Sequence, residues 1–205
     1  MFKVFADNYI PDYKIESFDN ISDNFLNTLK DKGIEAIFLD VDGTITTHYG
    51  KAITEDAKQF LVAAKKVFKL AYITNCGFDR SKIVSHNLGE FVDKNVFWPG
   101  YFKNDILYFI SKKINRKPFR QAYLNAAEEL GIPIEKCAII GDQYSTDIWG
   151  AKKAGIGYTI KIDNNLSSNE PGKKKWQRKF ENEVYRNLLK YTDKRPENIK
   201  DMNFS

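Results

Sequence analysis

Four short apolar runs, Ile34 to Leu39, Leu70 to Thr74, Cys137 to Ile140 and Tyr158 to Ile162, alternate along the chain with segments of helical period. Strands that read as continuous apolar runs are buried on both faces, and a chain alternating them with helices folds as a parallel sheet with a helical layer on each side. Between the first two runs, Ala57, Phe60, Leu61, Ala64 and Phe68 share one helical face, with Thr54 placed to cap it. After Pro118, Phe119, Ala122, Tyr123, Ala126, Ala127 and Leu130 keep the same spacing until Gly131 and Pro133 stop the helix. A further helix is expected near Arg80 to Leu88. The expected class is α/β, in three layers.

The 205 residues suit a single domain, large enough to bury roughly 70% of the surface its unfolded chain exposes. Hydrophobic residues make up 42% and aromatic ones 14%, enough apolar surface to exclude disorder over most of the length. Residues 1–33 read as an aromatic leader (Tyr9, Tyr13, Phe18) with a short helix around Asp23 to Leu29. Residues 34–163 hold the core, and a polar loop from Asn164 leads to a basic amphipathic helix over 171–195. Residues 89–116 have no assigned structure, although Ile106 to Ile110 is apolar. The longest uncharged stretch, Leu70 to Phe78, falls far short of the ~20 apolar residues of a membrane span. The first residues meet an acid at Asp7 and contain no apolar segment of the secretory kind, so a cytoplasmic location is expected. Cys76 and Cys137 belong to no disulfide framework or zinc pattern and are expected as reduced thiols.

Two carboxylates follow the first run at once, in Asp40-Val41-Asp42-Gly43-Thr44. In open parallel sheets the carboxyl ends of the strands carry the site. An acidic turn of this kind can also cap a loop or bind calcium, so its company decides. Thr74-Asn75 follows the second run, Lys117-Pro118 precedes the helix after Pro118, and Gly141-Asp142 with Asp147 follows the run ending at Ile140. A wound sheet gathers these ends in one place: carboxylates, an ammonium, a hydroxyl and an amide, an inventory suited to Mg²⁺-assisted phosphoryl transfer.

Taken in order, Asp-x-Asp-Gly-Thr, Thr-Asn, Lys-Pro and Gly-Asp-x4-Asp resemble the four motifs of the haloacid dehalogenase superfamily, whose sheet is Rossmann-like. The resemblance implies that Asp40 is the nucleophile accepting the phosphoryl group and that Asp42 serves as general acid and then base. It implies that Lys117 offsets the negative charge, and that Gly43, Thr44, Thr74 Oγ1 and the main chain around Asn75 bind phosphate oxygens. Mg²⁺ would be held by Asp40, the main-chain carbonyl of Asp42 and Asp142, with Asp147 supporting from behind. Loss of Lys117 is expected to harm catalysis more than folding. An acid at Asp42 favours a phosphatase, because the superfamily's dehalogenases lack one there and its transport ATPases carry threonine.

Members of the superfamily differ in a cap domain. Thr44 to Thr74 leaves room for a flap and one crossover helix, and Asn75 to Lys117 exceeds a helix and a strand by only about 15–20 residues, so a large cap is excluded. Within the capless class (subfamily IIIA), the chain resembles the YqeG-like, phosphatidylglycerophosphatase-type enzymes in its leader, its Gly141 to Ile148 motif and its basic C-terminal helix. It departs from them around Phe91 to Asp105 and in the small flap residues Thr46-Thr47-His48. The substrate expected from this resemblance is a phosphorylated lipid head group such as phosphatidylglycerophosphate. A soluble phosphatase of sugar phosphates or nucleotides and a phosphate-binding scaffold without turnover are the rival readings.

The net charge of +5 is uneven: Pro171 to Arg195 holds nine basic residues against three acidic ones. Trp176, Phe180, Val184, Leu188 and Tyr191 form one helical stripe there, which either docks on the sheet's remaining apolar face or lies on an anionic membrane surface. No nucleic-acid module is present and none is expected as partner. Lys112, Lys113, Arg116 and Arg120 crowd around Lys117, either steering an anionic substrate or forming an ordinary solvated helix end. His48 sits in the flap, where it either touches substrate or lies exposed, the second being the favoured reading, and His86 is read as surface.

Overall fold

The apolar runs become parallel strands covered on both faces. The structure is a computed structural model and describes residues 2–97, 115–163 and 172–199. Among these, the strands are β1 (Tyr13–Ile15), β2 (Ala36–Leu39), β3 (Lys69–Ile73), β4 (Lys94–Phe97), β5 (Cys137–Gly141), β6 (Tyr158–Ile162) and β7 (Glu197–Asn198). All pair in parallel in the order β4-β3-β2-β5-β6-β1-β7. The helices are α1 (Phe2–Tyr9), α2 (Asp23–Asp31), α3 (Glu55–Ala64), α4 (Phe78–Leu88), α5 (Arg120–Leu130), α6 (Gly150–Ala154) and α7 (Gly172–Leu188).

In register, Leu39 of β2 lies between Tyr72 of β3 and Ile140 of β5. Alternate residues of these strands face opposite layers. Ile37, Leu39, Leu70, Tyr72 and Ile140 pack with Phe25 and Leu29 of α2 and Phe60 and Leu61 of α3. Phe38, Ala71 and Ile139 pack with Ala122, Tyr123 and Leu130 of α5 and Ala151 and Ala154 of α6. Burial on both sides is why the strands carry apolar residues without alternation.

Helix ends follow local chemistry. Ser22 caps α2 by accepting from the Phe25 amide at 3.2 Å, and α5 ends on Gly131 at φ +67°. Thr54 stands at the N-cap of α3 as expected, but its hydroxyl makes no capping hydrogen bond.

Two segments differ from the sequence reading. The leader contributes α1 and also β1, which enters the sheet beside β6; three residues between Pro11 and Ser17 are too short a run to carry a strand signal. At the other end, the helix expected over 171–195 stops at Leu188, where the Lys190 and Tyr191 amides turn back onto the carbonyls of Asn187 and Leu188. The chain then forms β7 against β1. Among the described residues, Thr44 to Thr74 holds a small flap, bridged Asp42 to Thr46 and Thr46 to Ile53, followed by α3, and there is no cap domain. Ile106 to Ile110, Lys112 and Lys113 lie outside the described residues, while Arg116 and Arg120 are exposed.

Asp163, just past β6, pairs with Lys14 of β1 at 2.9 Å and with Lys161. Burial pushes its carboxyl up, but the Lys161 and Lys14 ammoniums outweigh burial and hold it below the usual range. The unfolded chain therefore holds this proton more tightly. The stabilisation is present above pH ~4 and is lost as the pH falls through the depressed value. Asp163→Asn is expected to flatten the acid limb of a melting-temperature profile; an unchanged limb would show that the pairing adds nothing.

Candidate active site

β2 and β5 are neighbours at the point where the chain order reverses, with β3 and β4 on one side and β6 on the other. Such a reversal opens a crevice at the carboxyl ends of the two strands. Asp40 follows β2 directly, its amide still bonded to Ile140 O at 3.0 Å, and Asp142 follows β5 directly. Asp147 lies in the single π-helical turn Tyr144–Trp149. Asp40, Asp142 and Asp147 are buried and offer carboxylate oxygens within 4.8 Å of one another.

Two glycines admit this crowding. A Cβ on Gly141 would sit 2.4 Å from the Cβ and Cγ of Asp147, so only glycine lets that side chain lie against β5. Gly43, at φ +92°, would place a Cβ 2.8 Å from Asp142 Oδ2.

Lys117 joins the cluster from the loop before α5. Its Nζ lies 2.5 Å from both Asp40 Oδ1 and Asp147 Oδ1, and its side chain is 2% exposed. Asn75 positions it through the backbone: Asn75 Nδ2 donates to Lys117 O and the Lys117 amide donates to Asn75 Oδ1, both at 2.8 Å. The Asn75 side chain is thus spent on Lys117. The Lys117–Pro118 peptide is cis. Thr44 Oγ1 donates to Asp40 Oδ2 at 3.3 Å, and Thr74 Oγ1 accepts from the Cys76 amide at 3.2 Å.

The expectation that Lys117 matters more to catalysis than to folding is revised. An ammonium buried between two buried carboxylates is part of the fold, since its removal leaves both charges uncompensated.

Burial pushes the Asp40 carboxyl well up, and Asp147 and Asp142 push further against the pull of Lys117. Asp142 is raised by burial and by Asp147, with Arg178 opposing. Burial pulls the Lys117 ammonium down, but Asp147 and Asp40 more than offset it, so the lysine stays charged. Burial pushes the Cys76 thiol up to about 11, which disfavours its thiolate.

The oxygens left over decide whether a cation fits. Both oxygens of Asp147 are engaged, one by Lys117 and the other by the Gln143 amide at 3.0 Å. Asp142 Oδ2 accepts from Arg178 at 2.8 Å, whereas Asp142 Oδ1 is buried without a hydrogen bond. A buried carboxylate oxygen without a donor, beside Asp40, suits a hard divalent cation. The donor set fits Mg²⁺.

Three residues at this site escaped the sequence reading, and a fourth, His48, is less exposed than expected. Arg80, in the first turn of α4, donates to Asp42 Oδ1 at 2.7 Å, which also accepts from the Tyr49 amide at 3.2 Å. Arg178 and Glu181 come from α7. Glu181 is buried, accepting from the Tyr144 amide at 3.0 Å and from the Ser145 hydroxyl. It fastens α7 to the turn that carries Asp147. His48, expected in solvent, is half-buried and lines the cleft beside Asp42 and Asp142; His86 is exposed as expected. Because α7 turns Arg178 and Glu181 inward, the apolar stripe splits. Leu188 packs with Val184 against Tyr144, while Trp176 and Phe180 stay 68% and 54% exposed.

The sequence profile of the haloacid dehalogenase-like hydrolases matches residues 28–155, and the chain belongs to that family. Among solved structures, an uncharacterized protein from Listeria monocytogenes serotype 4b is similar over 77% of this chain and 99% of its own, at 19% identity and TM-score 0.51. A 3-deoxy-D-manno-octulosonate 8-phosphate phosphatase from Moraxella catarrhalis is similar over 82% and 93%, at 19% identity and TM-score 0.40. No curated protein sequence matches the chain. Among the described residues no helix is long and apolar enough to cross a membrane.

Proposed function

We propose that this hydrolase is a Mg²⁺-dependent phosphomonoesterase working through an aspartyl phosphate on Asp40. The observation that carries the reading is the gathering of Asp40, Asp142 and Asp147 within 4.8 Å, with the Lys117 ammonium between Asp40 and Asp147. Asp40 and Asp142, with the main-chain carbonyl of Asp42, would hold Mg²⁺, which supplies charge neutralisation at the phosphoryl oxygens. The Asp40 carboxylate attacks phosphorus, forming one P–O bond as the bond to the leaving alkoxide breaks. Asp42 gives that alkoxide its proton, then takes a proton from the water that attacks the aspartyl phosphate and returns Asp40. Lys117 keeps Asp40 oriented and offsets the charge gathered there. Thr74 Oγ1, the Asn75 main chain, Gly43 and Thr44 bind the phosphoryl oxygens.

The test is phosphate release, with and without Mg²⁺, from an aryl phosphate, sugar phosphates, nucleotides and phosphatidylglycerophosphate in mixed micelles. The reading expects Mg²⁺-dependent release from at least the aryl phosphate; no release from any of them overturns it.

The substrate class we favour is a phosphorylated lipid head group of the phosphatidylglycerophosphate kind, as in the YqeG-like subfamily, reached from a peripheral position on an anionic membrane. Trp176 and Phe180 support it. They stack with ring centroids 5.7 Å apart on α7, beside exposed Lys175 and Lys179, on the same helix whose Arg178 reaches Asp142. Interfacial aromatics bury apolar area, and each basic residue near an anionic surface adds ~1 kcal/mol. The protein is expected to sediment with anionic vesicles at low salt and to lose this in Trp176→Ala/Phe180→Ala; no sedimentation would favour soluble substrates.

A further inference from the structure

We infer that Arg80 is a positioning residue: it pins Asp42 by one carboxylate oxygen, Oδ1, and so leaves Oδ2 to pass the proton to the leaving group and to take it from water. The inference rests on the phosphatase reading above and gives a task to a residue that reading does not use.

Arg80 stands in the first turn of α4, the helix that follows β3, and its side chain meets the base of the flap. Its Nη2 donates to Asp42 Oδ1 at 2.7 Å and lies 3.4 Å from Thr46 Oγ1. Thr46 is itself fixed. It is buried, its hydroxyl donates to Val41 O at 3.2 Å, and its carbonyl accepts from the Gly43 amide at 2.9 Å. The guanidinium is thus braced against the same turn that carries Asp42. With 11% of the Arg80 side chain and 14% of the Asp42 side chain exposed, water screens the pair little.

A second donor comes from the flap. The Tyr49 amide lies 3.2 Å from Asp42 Oδ1, and Tyr49 holds φ +59°, a left-handed conformation that a bulky residue seldom adopts. Arg80 carries a cost of its own, since its Nε is buried without a hydrogen-bond partner among the described residues. Strained backbone and an unpaired buried donor, both gathered around one carboxylate oxygen, mark a geometry kept for its use.

Oδ1 has two donors, whereas Oδ2 accepts no hydrogen bond among the described residues. The proton of the proposed reaction therefore travels on Oδ2. In the first half-reaction Oδ2–H gives its proton to the leaving oxygen, which keeps the electron pair of the breaking P–O bond. In the second, Oδ2 takes a proton from the water whose oxygen bonds to phosphorus, and the Asp40 carboxylate departs. Arg80 holds Oδ1 through both, so that the acid and the base stand in one place.

The test is the leaving-group dependence of kcat/KM, which reports phosphoryl transfer to Asp40 and excludes the later hydrolysis. Alkyl phosphates need the proton from Asp42; a nitrophenyl phosphate, whose leaving group departs as a stable anion, does not. With Mg²⁺-loaded protein, Arg80→Met is expected to lower kcat/KM by about a hundredfold or more for alkyl phosphates and by about tenfold or less for nitrophenyl phosphate. Arg80→Lys keeps the charge and a donor, and should show a smaller loss with the same skew. Melting temperatures check that both fold, and Arg80→Lys decides the question if Arg80→Met does not. An even loss across all leaving groups would make Arg80 a structural brace and overturn the inference, as would no loss. Wild-type protein that releases phosphate from none of the compounds overturns the phosphatase reading and the inference with it, whereas wild-type release with an even loss in the variants overturns the inference alone.

Discussion

Asp40→Asn is expected to lose Mg²⁺-dependent phosphate release by several orders of magnitude, while its metal-free melting temperature stays level or rises. The loss follows from chemistry, since an amide cannot form the acyl phosphate and groups that act as a unit fail together. The retained stability follows from electrostatics. Asp40, Asp142 and Asp147 crowd three carboxylates into a buried site with Lys117 and Arg178 as the cations in contact with them. Burial and its acidic neighbours push the Asp40 carboxyl up, so the folded state bears a cost for its ionised form that asparagine removes. Lys117 keeps Asp147 as partner in the variant. Phosphate release and a thermal melt on one preparation decide the matter; near-normal turnover would remove Asp40 from the nucleophile's role.

Lys117→Met should be the more damaging change to the fold. It fills nearly the same volume but leaves Asp40 and Asp147 buried without their ammonium, and breaking a buried ion pair from one side costs about 3–5 kcal/mol. Denaturant unfolding should show a loss of that size, with activity lost as well. Adding Asp147→Asn to Lys117→Met should recover part of the stability and none of the activity. A loss below ~1 kcal/mol in the single variant would mean that water, not the fold, compensates these carboxylates.

Much of the architecture was legible because the decisive strands are buried on both faces. β2, β3, β5 and β6 announce themselves as unbroken apolar runs, and residues directly following β2, β3 and β5 carry Asp40, Thr74 and Asp142. β1 and β7 were not legible: three and two residues respectively, they owe their pairing to the sheet edge they join rather than to their own pattern. Arg80, Arg178 and Glu181 were hidden for a different reason. A polar residue on an amphipathic helix normally faces water, but on α7 the seating of Val184 and Leu188 against Tyr144 carries Arg178 and Glu181, on the same helix face, onto the site. Asn75 shows the same limit at short range. Its place after β3 was readable, whereas its two hydrogen bonds to the Lys117 backbone, 42 residues away, were not.

The central claim, a phosphoryl group carried on Asp40, is tested most directly by trapping it. Mg²⁺-loaded protein is mixed with an aryl phosphate, quenched in acid within one turnover and digested for mass spectrometry, with Asp42→Asn used to slow breakdown of the adduct. The account predicts the mass of one phosphoryl group on the peptide containing Asp40, absent when Asp40 is asparagine. Rapid phosphate release with the adduct on another residue, or release that survives Asp40→Asn, would contradict it.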